Sequence, residues 1–133
     1  AGGISKNLLK KFGGKVICRV AEAETADRAA AGNMTRSEAA IERSVQDNIG
    51  IVATGNAPTA LLKTMELIDQ GLFAPDLVIG VPVGFVNAAE SKAILASKSF
   101  PFISSLGRKG GTPVAVAAVN ALLRLADTDA APA

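Results

Sequence analysis

Apolar residues recur along this chain at two spacings, which indicate where helices and strands lie. Ile4, Leu8 and Phe12 recur at helical intervals, whereas residues 77–83 (LVIGVPV) form an almost unbroken apolar run, typical of a parallel strand covered on both faces. Predicted strands cover residues 15–21, 50–54, 77–83 and 100–106. Predicted helices cover residues 4–12, 57–71 and 87–97, and two more begin at Thr35 and at the Thr112-Pro113 pair.

Strands and helices therefore alternate, which requires crossover connections and favours a parallel sheet. The predicted fold class is α/β: a three-layer sandwich with a mainly parallel sheet and helices on both faces. A chain of 133 residues suits one compact domain, which we place at residues 1–126. Residues 127–133 (DTDAAPA) are typical of a disordered tail. Thr35 and Glu38 have the spacing of a capping box.

Three of the predicted strand-to-helix turns have unusual sequences. In a parallel sheet such turns lie at the carboxyl edge of the strands, where open α/β folds bind ligands. Each places glycine beside a helix N-terminus, so that backbone N–H groups and the positive end of the helix dipole face the same crevice. The pattern predicts a site for several separated anions. We name them the first turn (residues 54–59, TGNAPT), the second turn (residues 82–92, PVGFVNAAESK) and the third turn (residues 107–113, GRKGGTP).

The same residues also have simpler structural interpretations. Asn56, Asn87 and Thr112 are each typical helix caps, and Arg108 with Lys109 is typical of a solvated loop. Their convergence on one edge of the sheet favours a ligand site over three unrelated turns.

Composition narrows the chemistry. Histidine is absent from all 133 residues, which removes the usual acid–base group at neutral pH and the commonest metal ligand. A metal site would need carboxylates alone, and no clustered acidic motif predicts one. A net charge of +2 without tryptophan or tyrosine is not typical of nucleic-acid-binding proteins. The most apolar stretch, PVAVAAVNALL, is about half the length that a bilayer requires.

Cys18 is the single cysteine, so the chain has no internal disulfide, and one thiol fits a reducing cytoplasm. Its position in VICRV, between alternating apolar residues, predicts a buried and unreactive thiol. The third turn lacks the lysine-serine/threonine ending of a Walker phosphate loop, and no predicted strand is followed by G-x-G-x-x-G. The residues alone therefore predict a polyanion site with an apolar, alanine-rich rim and do not identify the ligand.

Three segments resemble the precorrin-8X methylmutase (precorrin isomerase) family of cobalamin biosynthesis: GNAPTAL, VIGVPVGFVNAAESK and GRKGGTPVAVAAVNALL. The upstream GISK, KVICRV and TRSEAAI are similar to the same family in the same order, so the resemblance spans residues 3–123. It implies an isomerase that moves a methyl group on ring C of precorrin-8X, giving hydrogenobyrinic acid or its cobalt counterpart. It also implies a tetrapyrrole ligand edged with carboxylates, no cofactor and a homodimer, while composition predicts no metal site and a cytoplasmic location.

The resemblance assigns expected roles along the chain. Arg36 and Arg108 would pair with carboxylates, the first turn would supply hydrogen bonds, and the start of the second turn would form a shelf against the ring. The family's catalytic histidine lies ahead of the region where this chain begins, so we expect a missing N-terminal part of the family fold and little activity from this chain alone. The expected substrate-binding residues are Arg36, Gly55, Asn56, Thr59, Pro82, Val83, Gly84, Phe85, Arg108, Gly110 and Gly111.

Two other functions remain open at this point. Anion pockets without an acid–base group are typical of a non-catalytic corrinoid-binding module. Helix N-termini with nearby glycine, arginine and lysine also occur in nucleotide- or phosphate-binding α/β modules. The lack of a Walker phosphate loop and of a G-x-G-x-x-G motif after any predicted strand disfavours that alternative.

Overall fold

The structure, a computed structural model, describes residues 2–130. Helices and strands alternate from residue 51 onward, as the apolar pattern predicts. A short 3-10 helix, Val45–Asp47, follows the third α-helix. The strands are β1 (Ile51–Thr54), β2 (Leu77–Gly80) and β3 (Phe102–Ser104), and the helices are α1 (Lys6–Lys11), α2 (Ala23–Gly32), α3 (Arg36–Ser44), α4 (Pro58–Asp69), α5 (Ala88–Ala96) and α6 (Thr112–Ala130).

The three strands form a parallel sheet in the order β1-β2-β3. Because the order follows the chain, right-handed crossovers place α4 and α5 on one face of the sheet, and α6 then returns to the other. β2 is the central strand, and Val78, Ile79 and Gly80 are buried, which explains its unbroken apolar sequence. The predicted three-layer α/β class is confirmed.

Alternate residues of β2 enter different layers of the core. Ile79 packs with Ala115, Val119 and Leu123 of α6, and α1 covers this cluster from outside. Val78 faces the opposite layer, which contains buried residues of α4 and α5: Leu61, Met65 and Leu95. A third cluster of Val52, Leu67 and Phe73 extends this layer toward α3.

The predicted strand at residues 15–21 is wrong. In the described chain these residues pair with none of the three strands, and they form an extended connection between α1 and α2. Alternating apolar residues make a strand only where a neighbouring strand accepts their backbone hydrogen bonds. Cys18 lies in this connection and is exposed, so the prediction of a buried thiol is also wrong. The alanine-rich helix α2 was not predicted.

Helix α6 continues through Ala130, past residue 127, where we placed the start of a tail. Lys11 Nζ donates to Asp127 Oδ1 at 2.5 Å, which ties this part of α6 to α1. Residues 131–133 of the predicted tail lie outside the described residues.

Candidate functional site

The three turns meet at the carboxyl edge of the sheet and are joined by backbone hydrogen bonds. Val81 N–H donates to the Thr54 carbonyl at 2.9 Å, which joins the starts of the first two turns. Gly111 N–H donates to the Val81 carbonyl at 2.8 Å, and Gly84 N–H donates to the Arg108 carbonyl at 3.1 Å. The hydrogen bonds at the start of the second turn therefore reach both of the other turns, and the three form one continuous surface.

Two glycines allow the turns to pack this closely. A Cβ atom on Gly55 would lie 2.6 Å from Thr112 Cα, and one on Gly110 would lie 2.2 Å from the Val81 carbonyl oxygen. Both positions exclude a side chain because the obstructing atoms belong to the backbone. Gly55 and Gly110 thus serve the assembly of the edge itself.

Arg36 joins this surface through the start of α3. Thr35 accepts from Glu38 N–H at 3.1 Å and completes the predicted capping box with the Glu38 side chain. The Thr35 hydroxyl also lies 3.1 Å from the Thr59 hydroxyl, which brings the N-terminus of α3 beside the first turn. Arg36, the first residue of α3, is exposed there.

Of the three turn residues interpreted as helix caps, Asn87 occupies the cap position of α5, whereas Asn56 and Thr112 are not cap residues. Ala57 occupies the cap position of α4, so Asn56 lies outside it, and Asn87 makes no side-chain bond at the start of α5. Asn87 instead adopts a left-handed backbone conformation with φ of 64°. Thr112 is the first residue of α6, and Gly111 precedes it with φ of 124°. Asn56 and Asn87 therefore remain exposed with their amides available at this edge.

Apolar side chains surround the basic third turn. Phe85 is 83% exposed, Val86 77% and Leu106 73%, high values for side chains of this kind. Arg108 Cζ lies 5.1 Å from the Phe85 ring centroid in a cation–π contact. Val83 and Gly84 are partly or fully accessible, whereas Pro82 is buried and cannot offer its ring to a ligand in this conformation. The edge thus combines an apolar platform with exposed arginines.

Two buried polar side chains at this edge were missed by sequence reasoning. Lys92 of α5 is fully buried, and its Nζ donates to the Lys109 carbonyl at 2.6 Å. Thr54 Oγ1 is buried without a hydrogen-bond partner among the described residues. A signal for Lys92 was present, because it follows Ala88 by four residues and precedes Leu95 by three, on the helix face that packs inward.

Other features of the described chain lie away from this edge. A cavity of about 520 Å³ lies between α1 and residues 14–18, with Lys6, Lys10 and Lys15 in its lining. No three His, Cys, Asp or Glu side chains come together as a metal-binding group in the described chain. None of the helices within residues 2–130 combines the length and apolarity that crossing a bilayer requires.

A sequence model of the family described as precorrin-8X methylmutase matches residues 1–125. The chain belongs to the precorrin-8X methylmutase family. The resemblance inferred from its turns is thereby confirmed. The chain is 45% identical to the cobalt-precorrin-8 methylmutase of Priestia megaterium over 127 aligned residues. The aligned region covers 95% of this chain and 56% of that protein. It is 46% identical over 111 residues to the precorrin-8X methylmutase of Pseudomonas aeruginosa, and this match covers 81% of this chain and 53% of that protein.

Solved methylmutase structures have the same fold as this chain. The precorrin-8X methylmutase of Thermus thermophilus superposes with a TM-score of 0.87 at 42% identity, covering 98% of this chain and 64% of that one. A precorrin-8X methylmutase related protein superposes with a TM-score of 0.84 at 33% identity, covering 93% and 65%. This chain spans little more than half the length of the curated methylmutases named above.

Proposed function

We propose that this chain functions in the precorrin-8X methylmutase reaction, the migration of a methyl group on ring C of precorrin-8X to give hydrogenobyrinic acid in cobalamin biosynthesis. In this step one carbon–methyl bond breaks and another forms at a neighbouring ring carbon, without redox change. The observation that carries the proposal is the meeting of three glycine-containing turns at one edge of a fold that belongs to this family.

The geometry suits a flat ring edged with carboxylates. Arg36 and Arg108 are exposed and, in the described chain, neither pairs with a carboxylate, so each is available to a carboxylate of the ligand. Asn56 and Thr59 offer hydrogen-bonding side chains from the first turn itself. The exposed side chains of Val83 and Phe85 offer an apolar platform for the macrocycle. The turns thereby place charge around an apolar surface, as a tetrapyrrole with acid arms requires.

This chain lacks the side chain that most often transfers protons near neutral pH. Histidine is absent, and the family resemblance places the catalytic histidine outside the segment represented here. We therefore expect the chain to bind corrinoids but to convert little or no precorrin-8X when it is incubated alone.

Titration with hydrogenobyrinic acid tests the binding function. A change in the absorption spectrum of the corrinoid at micromolar protein is the expected result, and a spectrum identical to that of the free acid would contradict the proposal. Incubation with precorrin-8X tests turnover separately. Rapid conversion by the chain alone would show that the reaction does not need a histidine.

The absence of histidine favours one alternative, a non-catalytic corrinoid-binding module. Binding without conversion by the chain alone fits both functions. Adding the N-terminal half of a full-length methylmutase distinguishes them, because restored turnover identifies a catalytic partner and continued inactivity identifies a carrier. A rise in melting temperature with ATP or NAD, and none with hydrogenobyrinic acid, would favour a nucleotide-binding module instead.

We further propose that the chain forms a homodimer in the cytoplasm. A content of 49% hydrophobic residues and the exposed apolar side chains at the carboxyl edge support association, and one unpaired cysteine suits a reducing compartment. Sedimentation analysis with and without hydrogenobyrinic acid tests this, and a monomer under both conditions would contradict it.

A further inference from the structure

Lys92 is a buried cation that contacts the third turn from inside the molecule. Its side chain is 0% exposed, on the inward face of α5. Nζ donates to the Lys109 carbonyl at 2.6 Å. Burial lowers the pKa of Lys92, and no nearby carboxylate in the described chain offsets that effect. The residue therefore carries a desolvation cost that its one hydrogen bond only partly offsets.

Stability alone does not account for a lysine at this position. An apolar side chain of similar length would fill the same space, and replacing buried charges with apolar residues is often neutral or stabilising. Apolar residues already line this face of α5 at Ala88 and Leu95. The lysine is better explained by what its ammonium holds.

The planar peptide unit shows what this contact controls. In a trans peptide the C=O and the following N–H point in opposite directions. When Lys92 draws the Lys109 carbonyl inward, the Gly110 N–H is directed away from Nζ. The bond from Gly84 N–H to the Arg108 carbonyl sets the Lys109 N–H in the same manner. Neither the Lys109 nor the Gly110 N–H donates to an acceptor within residues 2–130.

We infer that Lys92 is a positioning residue that fixes the third turn so that the N–H groups of Lys109 and Gly110 bind a carboxylate of the ligand. Successive backbone N–H groups in a turn form an anion-binding concavity. Arg108, on the same turn, adds the full positive charge. The inference rests on the proposed function, since it assigns one acid arm of the tetrapyrrole to this turn.

The first test uses the wild-type chain. In a 15N–1H NMR titration with hydrogenobyrinic acid, the amide resonances of Lys109 and Gly110 should shift more than that of Gly71, which follows α4 at the opposite end of the sheet. If the acid binds and these two resonances do not move, the inference is overturned.

The second test compares Lys92→Met with Lys98→Met, which removes a lysine just beyond the other end of α5, where Nζ lies 2.6 Å from Asp69 Oδ2. Lys92→Met should bind hydrogenobyrinic acid about tenfold more weakly, as expected for misplaced hydrogen bonds to a charged acceptor. Its melting temperature should be equal to or higher than that of the wild type. Lys98→Met should bind like the wild type. Unchanged affinity in Lys92→Met would overturn the inference.

Further measurements separate a structural role from a positioning role and from failure of the proposed function. Lys92→Arg keeps a charged donor and should restore most of the affinity, whereas a purely structural lysine predicts that both variants lose melting temperature and affinity together. If the wild-type chain does not bind hydrogenobyrinic acid, the proposed function fails. In that case, NMR spectra without ligand still test whether Lys92 fixes the third turn. Lys92→Met should shift the amide resonances of Lys109 and Gly110, and unshifted resonances would overturn the inference that Lys92 positions this turn.

Discussion

Arg108 offers the clearest separation of binding from stability at the scale of single residues. Its side chain is exposed and its described contact is with the Phe85 ring, so Arg108→Ala should change the free energy of unfolding by less than about 1 kcal/mol. Loss of a charged hydrogen bond to a carboxylate should weaken hydrogenobyrinic acid binding about tenfold or more. Arg124→Ala, at an exposed position on α6, is the control and should bind normally in the same titration.

Gly110 tests whether the edge depends on close backbone packing. A Cβ there would lie 2.2 Å from the Val81 carbonyl oxygen, so Gly110→Ala must displace the turn and should cost about 1–3 kcal/mol of stability in urea unfolding. Gly50→Ala is the control, because its Cβ would meet only Asp76 Oδ2 at 3.7 Å. Equal stability of the two variants would mean that the turns separate easily.

Single residues also show the limits of sequence-based reasoning about the site. Gly55 and Gly110 were predicted as substrate-binding residues, but the sequence did not show that a side chain at either position would meet backbone atoms of this chain. Such contacts join residues far apart in sequence, so no local pattern contains them. Lys92 was missed for a related reason: lysine on a helix is usually solvated, and only the packed turn above it reveals its hydrogen bond.

At the scale of elements, the capping box of α3 connects helix formation with the site. Thr35→Ala should lower the free energy of unfolding by about 1 kcal/mol, because it removes the acceptor for Glu38 N–H. It also removes the contact with the Thr59 hydroxyl that places Arg36 beside the first turn. Ser37→Ala changes a neighbouring hydroxyl in the same turn of helix and should leave stability within about 0.5 kcal/mol. Thermal and urea unfolding measure both variants.

Elements with both an apolar pattern and end signals were predicted well from sequence. Helix α4 begins at Pro58 and β2 is buried on both faces, as glycine, proline and the apolar run indicate. The segment at residues 15–21 had the alternation of a strand but lacked a partner, and partners are a property of the whole sheet. Helix α2 was missed because its small alanine side chains do not mark a clear apolar face, although alanine has a high helix propensity.

At the scale of the whole molecule, different forces join different layers. The sheet and its flanking helices share apolar clusters, whereas α2 and the connection before it are joined to α3 and the residues after it by ion pairs. Arg19 donates to both Asp47 oxygens at 2.9 and 2.7 Å, and Arg43 donates to Glu22 at 2.6 Å. Paired charges of this kind depend on pH in a way that apolar clusters do not.

The sign of that dependence follows from the carboxylates. Hydrogen bonds from Arg19 lower the pKa of Asp47, and the bond from Arg43 is the largest influence that lowers the pKa of Glu22. Both groups therefore protonate more readily in the unfolded chain than in the folded one. Their stabilisation is present above the ordinary carboxyl pKa and is lost as the pH falls through the lowered values of the folded state.

Urea unfolding at a series of pH values should accordingly give a free energy that changes little between pH 7 and about pH 5 and then falls in acid, where these carboxylates titrate. Arg19→Gln removes the principal donor to Asp47, so it should reduce stability at pH 7 and flatten the fall below pH 5. Lys11→Gln removes a different ion pair, between α1 and Asp127, and tests whether the effect belongs to the Arg19 contacts. An acid profile of Arg19→Gln as steep as that of the wild type would show that the ion pair between Arg19 and Asp47 does not control acid stability.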